Sequence, residues 1–340
     1  MHISPPIAWP TLASLVTLVA VLACSEAVGP SAPLSPSGQT DGNQGQDAAP
    51  AALDTAAPSA DASAADVPPS AKGSLPAGIQ IGFWANLGDS VAAGCCTDGN
   101  DKYQYFKMLL TNDGSEYAAW AGHDLMTLHP GLKAVNWGKS GADSADVIAK
   151  QLPKFASSYG VPVLVTLHVG GNDFNDHDFK RFIANSAKVE ADGVKLGGNI
   201  DEIAKFFADK QRFPKGAWVF VAYIFSPTDD VCTFKAKAGY NGKWCQALST
   251  MGCLAGNWVK VLQSYNQEIN KAVAQHPHAF IVDDHAAFLG HGLNHDDANN
   301  PFYEGSSVNY FNTDCVHPNA AGHHAIRATF FAAIHGFGGR

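Results

Sequence analysis

The chain carries little charge, and most of what it carries is negative. Lys and Arg number 22 against 31 Asp and Glu, for a net charge of −9, and the basic residues form no cluster. Phosphate binding needs grouped Lys and Arg to release counterions, so nucleic acid is not an expected partner. Long apolar runs are also missing. The longest, Leu12–Ala23 (LASLVTLVAVLA), falls well short of the about 20 residues a helix needs to cross a bilayer. No two cysteines have C-x-x-C spacing, which argues against a thiolate zinc site. There is no internal repeat. What the chain does have is 46% hydrophobic residues, enough for a substantial core.

The apolar run has the length of a signal-peptide core and ends at small residues. The segment Val21-Leu22-Ala23-Cys24 resembles a bacterial lipobox, which implies lipidation of Cys24. The departure is an n-region without Lys or Arg. Ser25 to Leu75 is dominated by Ala, Pro, Ser, Gly and Asp and has no aromatic residue, a composition that cannot offset the entropy of ordering. The expected organisation is therefore a signal segment at 1–24, a tether at 25–75 and one folded domain at 76–340. It implies an exported protein of the cell envelope, an outer-membrane lipoprotein or a secreted form, touching the membrane through its lipid anchor only. The remaining cysteines, Cys95, Cys96, Cys232, Cys245, Cys253 and Cys315, are even in number, and disulfides are the default in an exported chain. Cys95 and Cys96 are adjacent and are expected to pair at a distance rather than with each other.

From about Pro76 strand-like and helix-like segments alternate. Strands are expected at 79–87, 133–137, 161–169, 217–224 and 279–282, and helices at 103–110, 117–128, 199–208, 254–274 and 319–335. The run Val161–Val169 (VPVLVTLHV) is nearly all apolar and rich in β-branched residues, as in a central parallel strand buried on both faces. The alternation predicts an open, mostly parallel α/β sheet, whose ligands bind beyond the C-terminal strand ends. The long connection Pro227–Gly252 reads as a rim or lid segment fixed by a disulfide.

Four short blocks lie at such strand ends or in loops near them. In Gly88-Asp89-Ser90 the Ser sits on a tight turn. In Asn136-Trp137-Gly138 a glycine N–H is open to close approach. In Gly170-Gly171-Asn172-Asp173 two glycines clear space for the Asn amide. In Asp314-Cys315-Val316-His317 the three-residue spacing can set a carboxylate against an imidazole and fix its tautomer. Each block alone also reads as an ordinary turn or cap.

The order of the four blocks, over about 79–335, resembles the SGNH or GDSL-type hydrolase family. The resemblance implies a flavodoxin-like three-layer α/β/α sandwich and an ester hydrolase without metal or organic cofactor, acting as a monomer on a lipid, a short-chain ester or an acetylated glycan. It further implies Ser90 as nucleophile, His317 as base and Asp314 as its orienting acid, with an oxyanion hole of the Ser90 and Gly138 N–H groups and the Asn172 side chain. A disulfide from Cys315 to Cys95 or Cys96 would then clamp the nucleophile loop to the base loop. Asp284–Phe288 with Gly290-His291-Gly292 is similar to a late block of secreted members and reads as rim-forming. The alternative is a non-catalytic or metal-binding surface module on the same fold. Its candidate ligands are His285, His291, His295, Asp296 and Asp297, with Asp283 and Asp284 upstream, or a calcium group at Asp173, Asn175, Asp176 and Asp178. Trp84, Trp137, Trp244 and Trp258 are candidates to line a sugar or acyl site.

Overall fold

A computed structural model describes residues 74–97, 100–112, 117–175, 186–231, 239–240, 244–245, 248, 256–305 and 307–336. The signal and tether expectations, Cys24, Cys232 and Cys253 lie outside them. So do Asp176 and Asp178 of the calcium candidate.

Five strands form one parallel sheet: β1 (Phe83–Gly88), β2 (Lys133–Asn136), β3 (Val163–His168), β4 (Ala217–Ala222) and β5 (Ala279–Val282). Their spatial order is β2-β1-β3-β4-β5, and every neighbouring pair is parallel. β3 is buried at all six positions, which is why it reads as a continuous apolar run rather than an alternating one. The period of two then sorts its side chains onto two faces. Val163, Val165 and Leu167 join one core with Ala85, Leu87, Val219 and Val221; Leu164 joins the other with Trp84, Phe220 and Val282.

Helices cover both faces. On the first lie Ser186–Phe207 and Gly256–Val273, packed against each other. On the second lie Tyr105–Leu110, Asp284–Phe288 and Ala320–His335. In chain order the helices are α1 (Ser90–Ala93), α2 (Tyr105–Leu110), α3 (Leu125–Leu128), α4 (Ser144–Asp146), α5 (Gly171–Asn175), α6 (Ser186–Phe207), α7 (Gly256–Val273), α8 (Asp284–Phe288) and α9 (Ala320–His335). This is the expected three-layer α/β/α sandwich. With strand order 2-1-3-4-5 the connection reverses between β1 and β3, so the binding crevice falls at the C-terminal ends of these two strands.

Two helix expectations need correction. The predicted helix 117–128 is a 3₁₀ turn at Ala118–Trp120 followed by α3. Gly122 at φ +78° interrupts it, and the Asp124 side chain caps a fresh start by accepting from the Thr127 N–H. The predicted helix 199–208 begins much earlier, at Ser186. Gly193, Gly197 and Gly198 hide it in the sequence, because glycine is a poor helix former. Two of these glycines are there for packing: a Cβ at Gly193 would lie 2.8 Å from the Tyr265 ring, and one at Gly197 would lie 3.0 Å from Glu268 Cβ. They let α6 approach α7 closely. Finally, α9 is capped by the Asn319 side chain, which accepts from the Gly322 N–H.

Candidate active site

At the end of β1 the chain must turn sharply while touching β3. Gly88 has φ +131°, and a Cβ there would lie 1.9 Å from the His168 carbonyl oxygen, so no other residue fits. The Gln151 side chain grips the same peptide twice, accepting from the Gly88 N–H at 2.9 Å and donating to its carbonyl at 2.8 Å. Asp89 then caps α1 by accepting from the Val91 N–H at 2.9 Å, which makes Ser90 the first helical residue. Asn86 and Asn136, from β1 and β2, each donate to the Ala92 carbonyl, at 2.8 and 2.9 Å. Tyr105 and Thr166 hydroxyls donate to Asn86 Oδ1. The turn bearing Ser90 is thus held by buried side chains from four elements.

The other half of the site comes from the loop before α9. Cys315 has φ +66°, and Asp314 Oδ1 accepts from the N–H groups of Val316 and His317 at 3.0 and 2.9 Å. That local turn leaves Asp314 Oδ2 2.6 Å from His317 Nδ1. His317 Nε2 in turn lies 2.9 Å from Ser90 Oγ, across 227 residues of sequence. Burial raises the Asp314 carboxyl, but the His317 ring hydrogen bond, its charge and two backbone N–H groups outweigh this and hold Asp314 below the usual carboxylate range.

Asn172, at the start of α5, lines the same cavity as Ser90 and His317 and donates to the Ala142 carbonyl at 2.8 Å. That bond fixes the amide and uses one of its two N–H groups. The Gly138 N–H donates to Asn136 Oδ1 at 2.9 Å. A Cβ at Gly138 would lie 2.6 Å from the backbone of α1, so this glycine permits the close approach of β2's loop to the nucleophile turn. Asp173 fastens the loop after β2, accepting from the Ser144 N–H at 2.9 Å and from its hydroxyl at 2.5 Å.

The cysteines pair otherwise than expected. Cys95 is joined to Cys96, with Cα atoms 3.7 Å apart, and Cys315 is joined to Cys245, at 5.3 Å. The adjacent pairing coincides with a left-handed turn at Cys96, φ +74°. The expected clamp between nucleophile and base loops exists, but as hydrogen bonds: Asn312 Nδ2 donates to the Cys96 carbonyl at 2.7 Å, and His323 Nε2 to the Cys95 carbonyl at 3.0 Å. The Cys245–Cys315 bond ties the rim segment to the base loop instead.

The cavity beside Ser90 is mostly apolar, with Phe174, Ile224, Phe225, Leu248, Leu262 and Val316 among its walls. Trp244 and Trp258 line it too. Trp84 and Trp137 do not: the first stacks on Phe106 in one core, and the second packs edge-on against Phe155 at the other. The histidines of the metal alternative face protein groups. His285 Nε2 is 3.0 Å from Asp230 Oδ2, and His291 and His295 donate to the carbonyls of Val308 and Ser307. Sequence reasoning missed Gln151, Asn86, His168 and the buried role of Asp284. Apart from polar residues inside apolar strands at Asn86 and His168, nothing in the sequence marks them.

A doubly wound parallel sheet, with a hydroxyl, an imidazole and a carboxylate in a row at its switch point, defines an α/β protein equipped for acyl transfer. The chain belongs to the GDSL-like lipase/acylhydrolase family, whose profile matches residues 87–325, and is a carboxylic ester hydrolase. No curated protein matches it. Among solved structures it is similar to a phospholipase A1 from Streptomyces albidoflavus NA297, at 22% identity over 74% of this chain and 99% of that one, TM-score 0.44. It is also similar to an acetylxylan esterase from Geobacillus stearothermophilus, at 15% identity over 76% and 96% of the two chains, TM-score 0.42.

Proposed function

We propose that the chain is a serine esterase for esters with an apolar acyl chain, working through Ser90, His317 and Asp314. The carrying observation is the row Ser90 Oγ, His317 Nε2, His317 Nδ1, Asp314 Oδ2, with contacts of 2.9 and 2.6 Å at the edge of an apolar cavity. His317 takes the Ser90 proton as Oγ attacks the ester carbonyl. The imidazolium, steadied by Asp314, then returns that proton to the departing alcohol, leaving an acyl group on Ser90. Water, deprotonated by His317, attacks the acyl-enzyme and releases the carboxylic acid.

The developing oxyanion is served by the Ser90 N–H, in the first turn of α1, and by the second N–H of the Asn172 amide. The Gly138 N–H is a third donor only when shared with Asn136, which already holds it. Removing one such donor costs about 10²–10³ in kcat.

The substrate class rests on the cavity walls. An acetyl group would touch little of the apolar wall to which Phe174, Leu248, Trp258 and Leu262 contribute, whereas an acyl chain of several carbons fills the space they line. Hydrolysis of p-nitrophenyl esters should therefore rise with chain length beyond acetate and exceed deacetylation of acetylated xylan. A preference for acetate and xylan would contradict the acyl-chain reading. For the envelope, we propose anchoring through Cys24 and the tether at 25–75; Cys24→Ala should then move the active protein from membranes to the soluble fraction. Equal membrane retention of the variant would sink the anchor.

A further inference from the structure

Beneath the nucleophile turn lies a second row of titratable groups that the acyl-transfer steps do not use. His168, the last residue of β3, is 5% exposed, Asp89 3% and Asp284 0%. His168 Nδ1 faces Asp89 Oδ1 at 3.9 Å, and its Nε2 faces Asp284 Oδ2 at 3.5 Å. Neither separation is a hydrogen bond. Both ring nitrogens and Asp284 Oδ2 are buried without any hydrogen-bond partner. Unpaired buried polar atoms are rare in folded proteins and cost free energy, yet here three lie in one row, with His168 Nε2 and Asp284 Oδ2 facing each other.

We propose that Asp284 is a permanently protonated acid that fixes the His168 ring, so that His168 donates its Nδ1–H to Asp89 and holds it as a carboxylate beside His317. His168 and Asp284 are thus positioning residues for the reaction. This rests on the reading of Ser90 and His317 given above.

The two carboxyls flanking one neutral imidazole cannot both ionise away from water, and their surroundings decide which one keeps the proton. Asp284 has one donor, the Thr329 hydroxyl, and Asp283 beside it adds repulsion; burial pushes its carboxyl well above the usual range. Asp89 has the Val91 N–H and the His317 charge in its favour, against burial and Asp173, and rises only to about 7. Burial, and then His323, keep His168 uncharged, with its pKa near 3. Tyr105, the remaining group facing both carboxylates, is pushed above its ordinary value by burial and stays neutral. The consistent state has the Asp284 hydroxyl donating to Nε2, Nδ1–H donating to Asp89, and the single negative charge of the row on Asp89. That charge attracts the imidazolium His317 becomes when it takes the Ser90 proton.

The test is the pH dependence of kcat and KM. Asp284→Asn retains an N–H donor toward Nε2, so its profile should coincide with that of the parent. Asp284→Ala and His168→Phe remove the arrangement; Asp89 then loses the hydrogen bond that keeps it charged beside His317, the imidazolium is less favoured, and the acid limb of kcat should move down by about one pH unit, with KM little changed. A merely structural role would lower Tm and leave the profile in place, which would overturn the proposal. So would an Asp284→Asn profile displaced as far as that of Asp284→Ala. Nitrogen-15 shifts of the His168 ring in the unaltered protein give an answer free of folding effects: a neutral Nδ1–H tautomer from pH 5 to 8 is expected, and an imidazolium there would overturn the proposal. If Ser90→Ala hydrolyses esters as well as the parent, the proposed function fails; moved profiles with an inactive Ser90→Ala support both.

Discussion

The site is built from single residues, each with a distinct job, and each can be tested separately. Ser90→Ala leaves no oxygen for the acyl group and should lower kcat by about 10⁴-fold or more, as loss of a nucleophile does elsewhere. Asn172→Ala removes one oxyanion donor, lowering kcat by about 10²–10³ with KM little altered, because the amide works on the transition state. A KM effect alone would contradict that role. Activity should also fall as acid protonates His317, since an imidazolium cannot accept the Ser90 proton. At this scale the sequence was most readable where chemistry forces short spacing: Asp314 and His317 share one turn, and Gly88-Asp89-Ser90 marks its own bend. It was unreadable where partners come from distant elements. Gln151 gripping Gly88 across 63 residues, or His168 facing Asp284, leaves no local trace.

At the scale of elements, the cost of placing the site falls on two helices. α6 reaches α7 over Gly193 and Gly197, and α7 brings Trp258 and Leu262 to the cavity. Gly193→Leu should force these helices apart and cost about 1–3 kcal/mol as overpacking, read as a lower Tm; an unchanged Tm would mean the helices do not meet there. α9 ends in His335, half-buried and stacked on His129. Burial, and then His129, lower the His335 pKa from 6.5 to about 4. A depressed folded value means its contribution is present above about pH 6.5 and lost as pH falls toward 4. Asp229, raised by burial to about 6, acts in the opposite sense, so the informative quantity is a difference. His335→Gln should flatten the fall of the unfolding free energy between pH 6.5 and 4, by on the order of 1–2 kcal/mol. An identical slope in the variant would contradict burial of that ring. These helices also mark the limit of pattern reading: the glycines that serve packing disguise the first half of α6, and the apolar neighbours of Gly122 disguise the break within 117–128.

For the molecule as a whole, strand order and chemistry coincide. The sheet order β2-β1-β3-β4-β5 places the crevice between the ends of β1 and β3. Ser90 and Asn172 follow those two strands directly, and the loop before α9 carries His317 to the same place. The layered architecture was legible because each strand is a short apolar run bounded by glycine or proline, with β3 the clearest. Disulfide pairing was not legible, since connectivity depends on tertiary distance: the bond from Cys315 runs to the rim at Cys245, and hydrogen bonds from Asn312 and His323 hold the nucleophile and base loops together. The proposed function rests on one hydroxyl being made nucleophilic by an imidazole 227 residues away. The direct measurement is the mass of the intact protein and of its Ser90 peptide after a fluorophosphonate probe. One adduct per chain is expected, on Ser90, lost in Ser90→Ala and strongly slowed in His317→Ala. No adduct, or one on another residue at an unchanged rate in both variants, would contradict it.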